Sequence, residues 1–135
     1  MGFSGLEFIF LEVNNLEESV HFYSDQLGFE VEKFDLESEP PMARLRAGSF
    51  KLSLAQHLET MLTRGRGVNV FIGVDDVDLY HRQLVARDLD VYAPADEGWG
   101  GRFITIQDPD KYRLFFVTWS TSEIDSESEL TKAAG

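Results

Sequence analysis

Along FIFLEV, residues 8–13, hydrophobic and polar positions predict a strand with no obvious water face. Side chains alternate across a strand, so Ile9, Leu11 and Val13 share one side and Phe8, Phe10 and Glu12 the other. The first set is a core face; two phenylalanines and a carboxylate need another explanation. Next, NNLEESVHFYSDQLG puts Leu16, Val20, Tyr23 and Leu27 on one stripe of a helix. Asn15 is placed to cap that helix, with Glu18 three residues on as its capping-box partner. Gly28 supplies a left-handed stop. Three strand candidates follow, FEVEKFD (29–35), MARLRA (42–47) and FKLSLAQ (50–56), divided by the loop LESEPP and the turn GS.

The same pattern then recurs. VNVFIGV (68–74) runs into Asp75 and Asp76 at a helix start, and Val77, Tyr80 and Leu84 form the helix stripe. A strand beginning near Leu89 and running through DVYAP (90–94), then RFITIQ (102–107), a DPDK turn and YRLFFVTW (112–119) complete the series. Val13 and Val74, like Leu16 and Val77, stand 61 positions apart. Self-similarity at fixed spacing constrains architecture more than any single motif. The expected fold is α+β: two tandem βαβββ modules, about 5–62 and 66–119, within one domain spanning 1–120. Each module forms a curved sheet whose helix covers Ile9, Leu11 and Val13, or Val70, Ile72 and Val74. The remaining faces are expected to line a shared cavity, and Phe8, Phe10 and Glu12 to look into it. Two readings stand for those phenylalanines: they line an open pocket, or they fill it as large side chains fill many small barrels. Glu12 favours the pocket, since a buried unpaired carboxylate is costly, unless it marks an exposed strand end.

Composition narrows the chemistry. The chain has 135 residues and no cysteine, which excludes disulfides, thiolate catalysis and cysteine-based zinc sites. Its 24 acids against 12 bases give a net charge of −12. The acidic 121–135 tail, with Glu123, Asp125, Glu127 and Glu129 against Lys132, is expected to be disordered. The acidic remainder disfavours nucleic acid and anionic lipid. No apolar run approaches the ~20 residues of a membrane helix, and no stretch reads as a signal peptide, so a cytoplasmic location is expected. The three histidines show no metal-ligand spacing: His21 and His81 fall on the helices, His57 after the fourth strand. RGRG (64–67) reads as a linker between modules.

Three stretches, HFYSDQLGFEV (21–31), VDDVDLYHRQL (74–84) and GWGGRFITIQDPD (98–110), carry a resemblance to the glyoxalase/bleomycin resistance/dioxygenase family, also called the vicinal oxygen chelate family. Together they punctuate residues 6–119. The resemblance implies that the family's metal-ligand positions fall on Phe8, Ser53, Asn69 and Phe115, where its enzymes carry His, Glu or Gln. Phenylalanine cannot bind a metal, and Ser plus Asn make a poor ligand set. No metal, no cofactor and no catalytic residue is therefore expected, and the chain is similar in character to the bleomycin resistance proteins, which sequester a drug without chemistry.

By alternation Phe8, Phe10, Asn69, Phe71, Phe115 and Trp119 face the cavity, with Glu12, Ser53 and Asn69 as its polar groups. Aromatic faces stack on planar groups or attract cations, so the expected partner is a small aromatic or cationic molecule. The resemblance places Trp99 alone beside the ligand, and Arg102 in the same stretch is a further ligand-binding candidate; packing of Trp99, and pairing of Arg102 with Asp96 or Glu97, are the competing readings. Where the family has glycine and asparagine this chain has Lys111 and Tyr112, which puts a lysine where φ > 0 is expected. The acidic loop 34–42 reads as a connector. A homodimer is expected, because open curved sheets have edges to protect and the family pairs about a two-fold axis. The alternatives are an enzyme of the family (a lyase, isomerase or dioxygenase with a relocated metal, or acid/base chemistry from Glu12) and a regulatory module whose cavity is filled.

Overall fold

Capping and alternation build the first half as the sequence predicts. A computed structural model describes residues 2, 5–56, 68–98 and 100–119. Strand β1 (Ile9–Val13) leads to helix α1 (Leu16–Val20), whose N-terminus is capped where the Asn15 side chain accepts the Glu18 N–H at 3.0 Å. A π-helical turn, His21–Gln26, continues α1, with the Leu27 N–H donating to the Phe22 carbonyl at 2.9 Å. That wider turn brings the adjacent Phe22 and Tyr23 both inside. Gly28 ends it at φ 90. Strands β2 (Glu30–Asp35), β3 (Met42–Ala47) and β4 (Phe50–Gln56) complete a sheet of order β1-β4-β3-β2, with β1 and β4 parallel.

The second half repeats the order: β5 (Asn69–Gly73), α2 (Val77–Ala86), β6 (Ala95–Asp96), β7 (Gly101–Gln107) and β8 (Arg113–Trp119), in a sheet β5-β8-β7-β6. Asp76 caps α2 as Asn15 caps α1, accepting the Leu79 N–H at 3.1 Å. The repeat extends to single hydrogen bonds. Gln56 Oε1 accepts the first N–H of α1 at Leu16, and Thr118 Oγ1 accepts the first N–H of α2 at Val77. Each ties a helix start to the strand beside β1 or β5. Lacking a glycine, α2 stops where Asp88 takes φ 66, with the Leu89 N–H reaching back to the Leu84 carbonyl.

The expected strand at 90–94 forms instead as the two-residue β6 at Ala95–Asp96, paired with Phe103 and Arg102. Pro94 has no N–H to give a ladder, so pairing starts after it.

The chain divides into two compact units. One holds the chain up to Val68 together with Gln107–Tyr112; the other holds Asn69–Ile106 and the chain from Arg113. The loop between β7 and β8 thus belongs to the first unit. The first core joins Leu11, Val13, Leu45, Leu52 and Leu54 of the sheet to Leu16, Val20 and Tyr23 of the helix. The second joins Val70, Ile72, Ile104, Leu114 and Phe116 to Val77 and Leu84. His57, the 64–67 linker, Trp99 and the 121–135 tail lie outside the described residues.

Candidate functional site

Each sheet buries one face under its helix and leaves the other open. In the first unit the register sets Phe10 beside Ser53, Ser53 beside Arg44 and Arg44 beside Lys33, one row across all four strands. A second row runs Glu12, Ala55, Met42, Asp35. Phe8 and Phe10 are 51 % and 53 % exposed, so they neither fill a core of this unit nor pack under its helix. Ser53, on the central strand, is only 5 % exposed. Glu12 is half-buried and engaged within the chain.

In the second unit the open face carries Asn69, Phe71, Phe115 and Trp119. Phe71 and Phe115 stack with ring centroids 4.5 Å apart and planes 8° from parallel, and Phe103 meets Phe115 edge-on at 5.6 Å. Phe71 is still 54 % exposed, and Asn69 and Trp119 are exposed as well. A pre-stacked pair with one ring open offers a flat apolar surface at little further ordering cost. The sequence therefore places Phe8, Phe10, Glu12 and Ser53 together on one open face and Asn69, Phe71, Phe115 and Trp119 on the other.

Arg102 stands apart from them. Its strand neighbour Phe103 faces Phe115, so Arg102 points to the helix side, where Asp78 of α2 accepts at 2.8 and 3.0 Å and Asp96 lies 3.2 Å away. The hydrogen bonds to Asp78 and then Asp96 raise the guanidinium further above its ordinary value, and those from Arg102 lower Asp78. All three of its side-chain nitrogens face these carboxylates, as the pairing reading anticipated for Asp96, with Asp78 added by the helix. The histidines also have local roles: His21 pairs with Asp25 at 2.6 Å, and His81 Nε2 lies 3.1 Å from the Val91 carbonyl. On the helix side of the first unit, an open groove of about 370 Å³ lies among Glu17, Val20, His21, Asp25, Phe34 and Leu36.

Sequence reasoning missed a buried acidic cluster in the 107–112 loop. Asp108 and Asp110 are buried; Tyr23 donates its hydroxyl to Asp108 at 2.7 Å, and the Asn14 N–H donates to Asp110 at 3.0 Å. Burial pushes the Asp108 carboxyl up to about 6, opposed by hydrogen bonds from Tyr23 and from the backbone N–H groups of Tyr112 and Asp110. Burial also raises the Tyr23 phenol well above its usual range. The signal was present: an acid flanking proline on each side makes a turn whose carboxylates bind their own backbone. Their partners, Asn14 just after β1 and Tyr23 in the π turn, are 96 and 85 positions away, beyond the reach of local pattern. Lys111 in that turn does take φ 69.

The positions that would hold a family metal do not fit one. Phe8 and Phe115 offer no donor atom, and Ser53 and Asn69 supply weak neutral oxygens. No three His, Asp or Glu side chains among the described residues cluster as a metal site.

Two βαβββ units, each a four-stranded sheet with one open face, define the class of α+β protein to which this chain belongs. The chain belongs to the Glyoxalase/Bleomycin resistance protein/Dioxygenase superfamily, whose family model matches residues 5–116. Solved structures agree in fold. A glyoxalase/bleomycin resistance protein/dioxygenase from Nocardioides superposes with a TM-score of 0.71 at 21% identity, over 90% of this chain and 87% of that one. TnmS3, an antibiotic binding protein from Streptomyces sp. CB03234, gives 0.72 at 21% identity over 89% and 99%. The fosfomycin resistance protein FosX from Mesorhizobium loti gives 0.70 at 18% identity over 93% and 99%. No curated protein matches the chain. Among the described residues no helix is long and apolar enough to cross a membrane.

Proposed function

We propose that this protein binds a small aromatic molecule on its open sheet faces, without a metal and without transforming it. The observation that carries the reading is the exposure of Phe8, Phe10 and Phe71 on faces that the fold could have made polar. Contiguous exposed aromatics on a rigid sheet mark a binding surface more often than scattered ones do. Catalysis by the family's metal route would need donors that Phe8 and Phe115 do not have. The antibiotic-binding description of TnmS3 and the resistance description of FosX support sequestration of a drug-like guest. We take the working form to be a cytoplasmic homodimer, since β1 and β2 in one sheet, and β5 and β6 in the other, are edges that a second chain could cover.

The test is a thermal-shift screen of the full chain against aromatic antibiotics and metabolites, with and without chelator, followed by mass spectrometry of the recovered ligand. A true ligand at ~100-fold excess over Kd adds ~2.7 kcal/mol, or about 9 °C for a chain of this size. Phe10→Ala and Phe71→Ala should each reduce that shift, chelator should leave it unchanged, and the ligand should return intact. A melting temperature that falls on chelation together with a copurified divalent ion, or a turned-over ligand, would sink the proposal.

A further inference from the structure

The open face of the first sheet has its charges sorted in a way the sequence does not show. Its carboxylates on β2 are occupied: Glu30 and Glu32 hold Arg46, and Asp35 accepts the N–H groups of Glu37 and Ser38, while Glu12 on β1 also makes an interaction within the chain. Apart from Arg46, its cations are not: among the described residues Lys33, Arg44 and Lys51 have no hydrogen-bond or ion-pair partner. Arg44 lies on the interior strand β3, directly beside Ser53 and two strands from Phe10. Ser53 is a second unspent group, 95 % buried by its 5 % exposure, with a hydroxyl that bonds to no described side chain.

Resting on the binding function proposed above, we infer that the ligand is an aromatic anion, its ring on Phe8 and Phe10 and its carboxylate or other oxyanion at Arg44 and Ser53. Strands lie ~4.8 Å apart, so Phe10 and Arg44 are separated by roughly 10 Å of backbone. A bicyclic aromatic acid spans that distance once the arginine side chain reaches inward. Arginine suits the task because its planar fork meets a carboxylate with two parallel N–H···O bonds. The serine hydroxyl between ring and guanidinium can donate a third. A cationic guest was expected because aromatic faces attract cations, and Glu12 and the acidic net charge would favour the same sign. Glu12 already makes an interaction within the chain, and charges farther away than ~10 Å are largely screened at 0.1 M salt, so the nearby cations that lack a partner among the described residues decide.

Two isosteric probes of opposite charge test this by isothermal titration calorimetry on the full chain: 2-naphthoate and 2-naphthylmethylammonium. Naphthoate should bind at least ten-fold tighter. Arg44→Gln should erase that preference while leaving the melting temperature unchanged, because the side chain is exposed and has no partner among the described residues. Phe10→Ala should weaken both probes alike. If the ammonium binds tighter, or Arg44→Gln leaves the ratio intact, the anion assignment is wrong and the binding function survives. If neither probe binds, or Phe10→Ala changes nothing, the binding function itself fails and this inference goes with it.

Discussion

Asp108 is a carboxylate held away from water, and its environment makes a pH prediction. Burial raises it from an ordinary 3.8 to about 6, so between those values the folded chain keeps a proton that the unfolded chain has released. Stability from this group is therefore fully present below about pH 4 and is lost as pH rises through 6. At ~1.4 kcal/mol per pKa unit, the loss is about 3 kcal/mol. Asp108→Asn keeps an acceptor for the Asp110 and Tyr112 N–H groups but cannot ionise. Denaturant melts at pH 4 and pH 7 should show the variant gaining about 2 kcal/mol on the wild type across that range, most of the full effect. A difference that stays flat would mean that the carboxyl titrates normally. None of this was legible in DPDK alone. The turn was visible, but burial of its acids depends on Tyr23 and Asn14, which no local pattern links to it.

The two helices carry the same cap and different stops, so they respond differently to substitution. The Asn15 and Asp76 caps were legible because a short polar side chain before an apolar stripe has few other uses. Asn15→Ala should cost about 1 kcal/mol. The stops differ in sign. Gly28 sits at φ 90, where any side chain is strained, whereas Asp88 bears such strain at φ 66. Asp88→Gly should therefore raise stability by about 1 kcal/mol, and Gly28→Ala should lower it. Paired thermal melts of the three variants check all three directions, and a destabilised Asp88→Gly would refute the strain assigned there. The π turn in the first helix was not legible. Leu16, Val20, Tyr23 and Leu27 fit an ordinary helical stripe, and nothing in that spacing reveals the extra residue that also buries Phe22. The site divides in the same way. Alternation correctly put Phe8 with Phe10 and Phe71 with Phe115, since strand parity is a local property. It could not show that Glu12 is engaged, that Arg44 has no partner among the described residues or that Asp78 takes Arg102, because each depends on another element.

For the whole chain, the duplication visible as a 61-residue spacing revealed the element order of both halves, but not the way the chain shares its segments. Residues 107–112 lie between two strands of the second unit and yet belong to the first. There Tyr23 gives its hydroxyl to Asp108, the Asn14 N–H is received by Asp110, and the Tyr112 hydroxyl donates to the Glu12 carbonyl at 3.0 Å. A fragment ending at residue 68 loses all three. It would leave a buried phenol and a backbone N–H without partners, at about 1–3 kcal/mol each. A unit of that size has little stability to spare. The two halves should therefore not be separable modules, despite their matching patterns. Residues 1–68 expressed alone should melt without a cooperative transition and show little amide protection in β1 and α1. Fusing QDPDKY to that fragment through a flexible linker should restore protection at Asn14, the amide that donates to Asp110. A fragment that melts cooperatively without this segment, near the temperature of the intact chain, would mean that the loop only decorates a unit already complete.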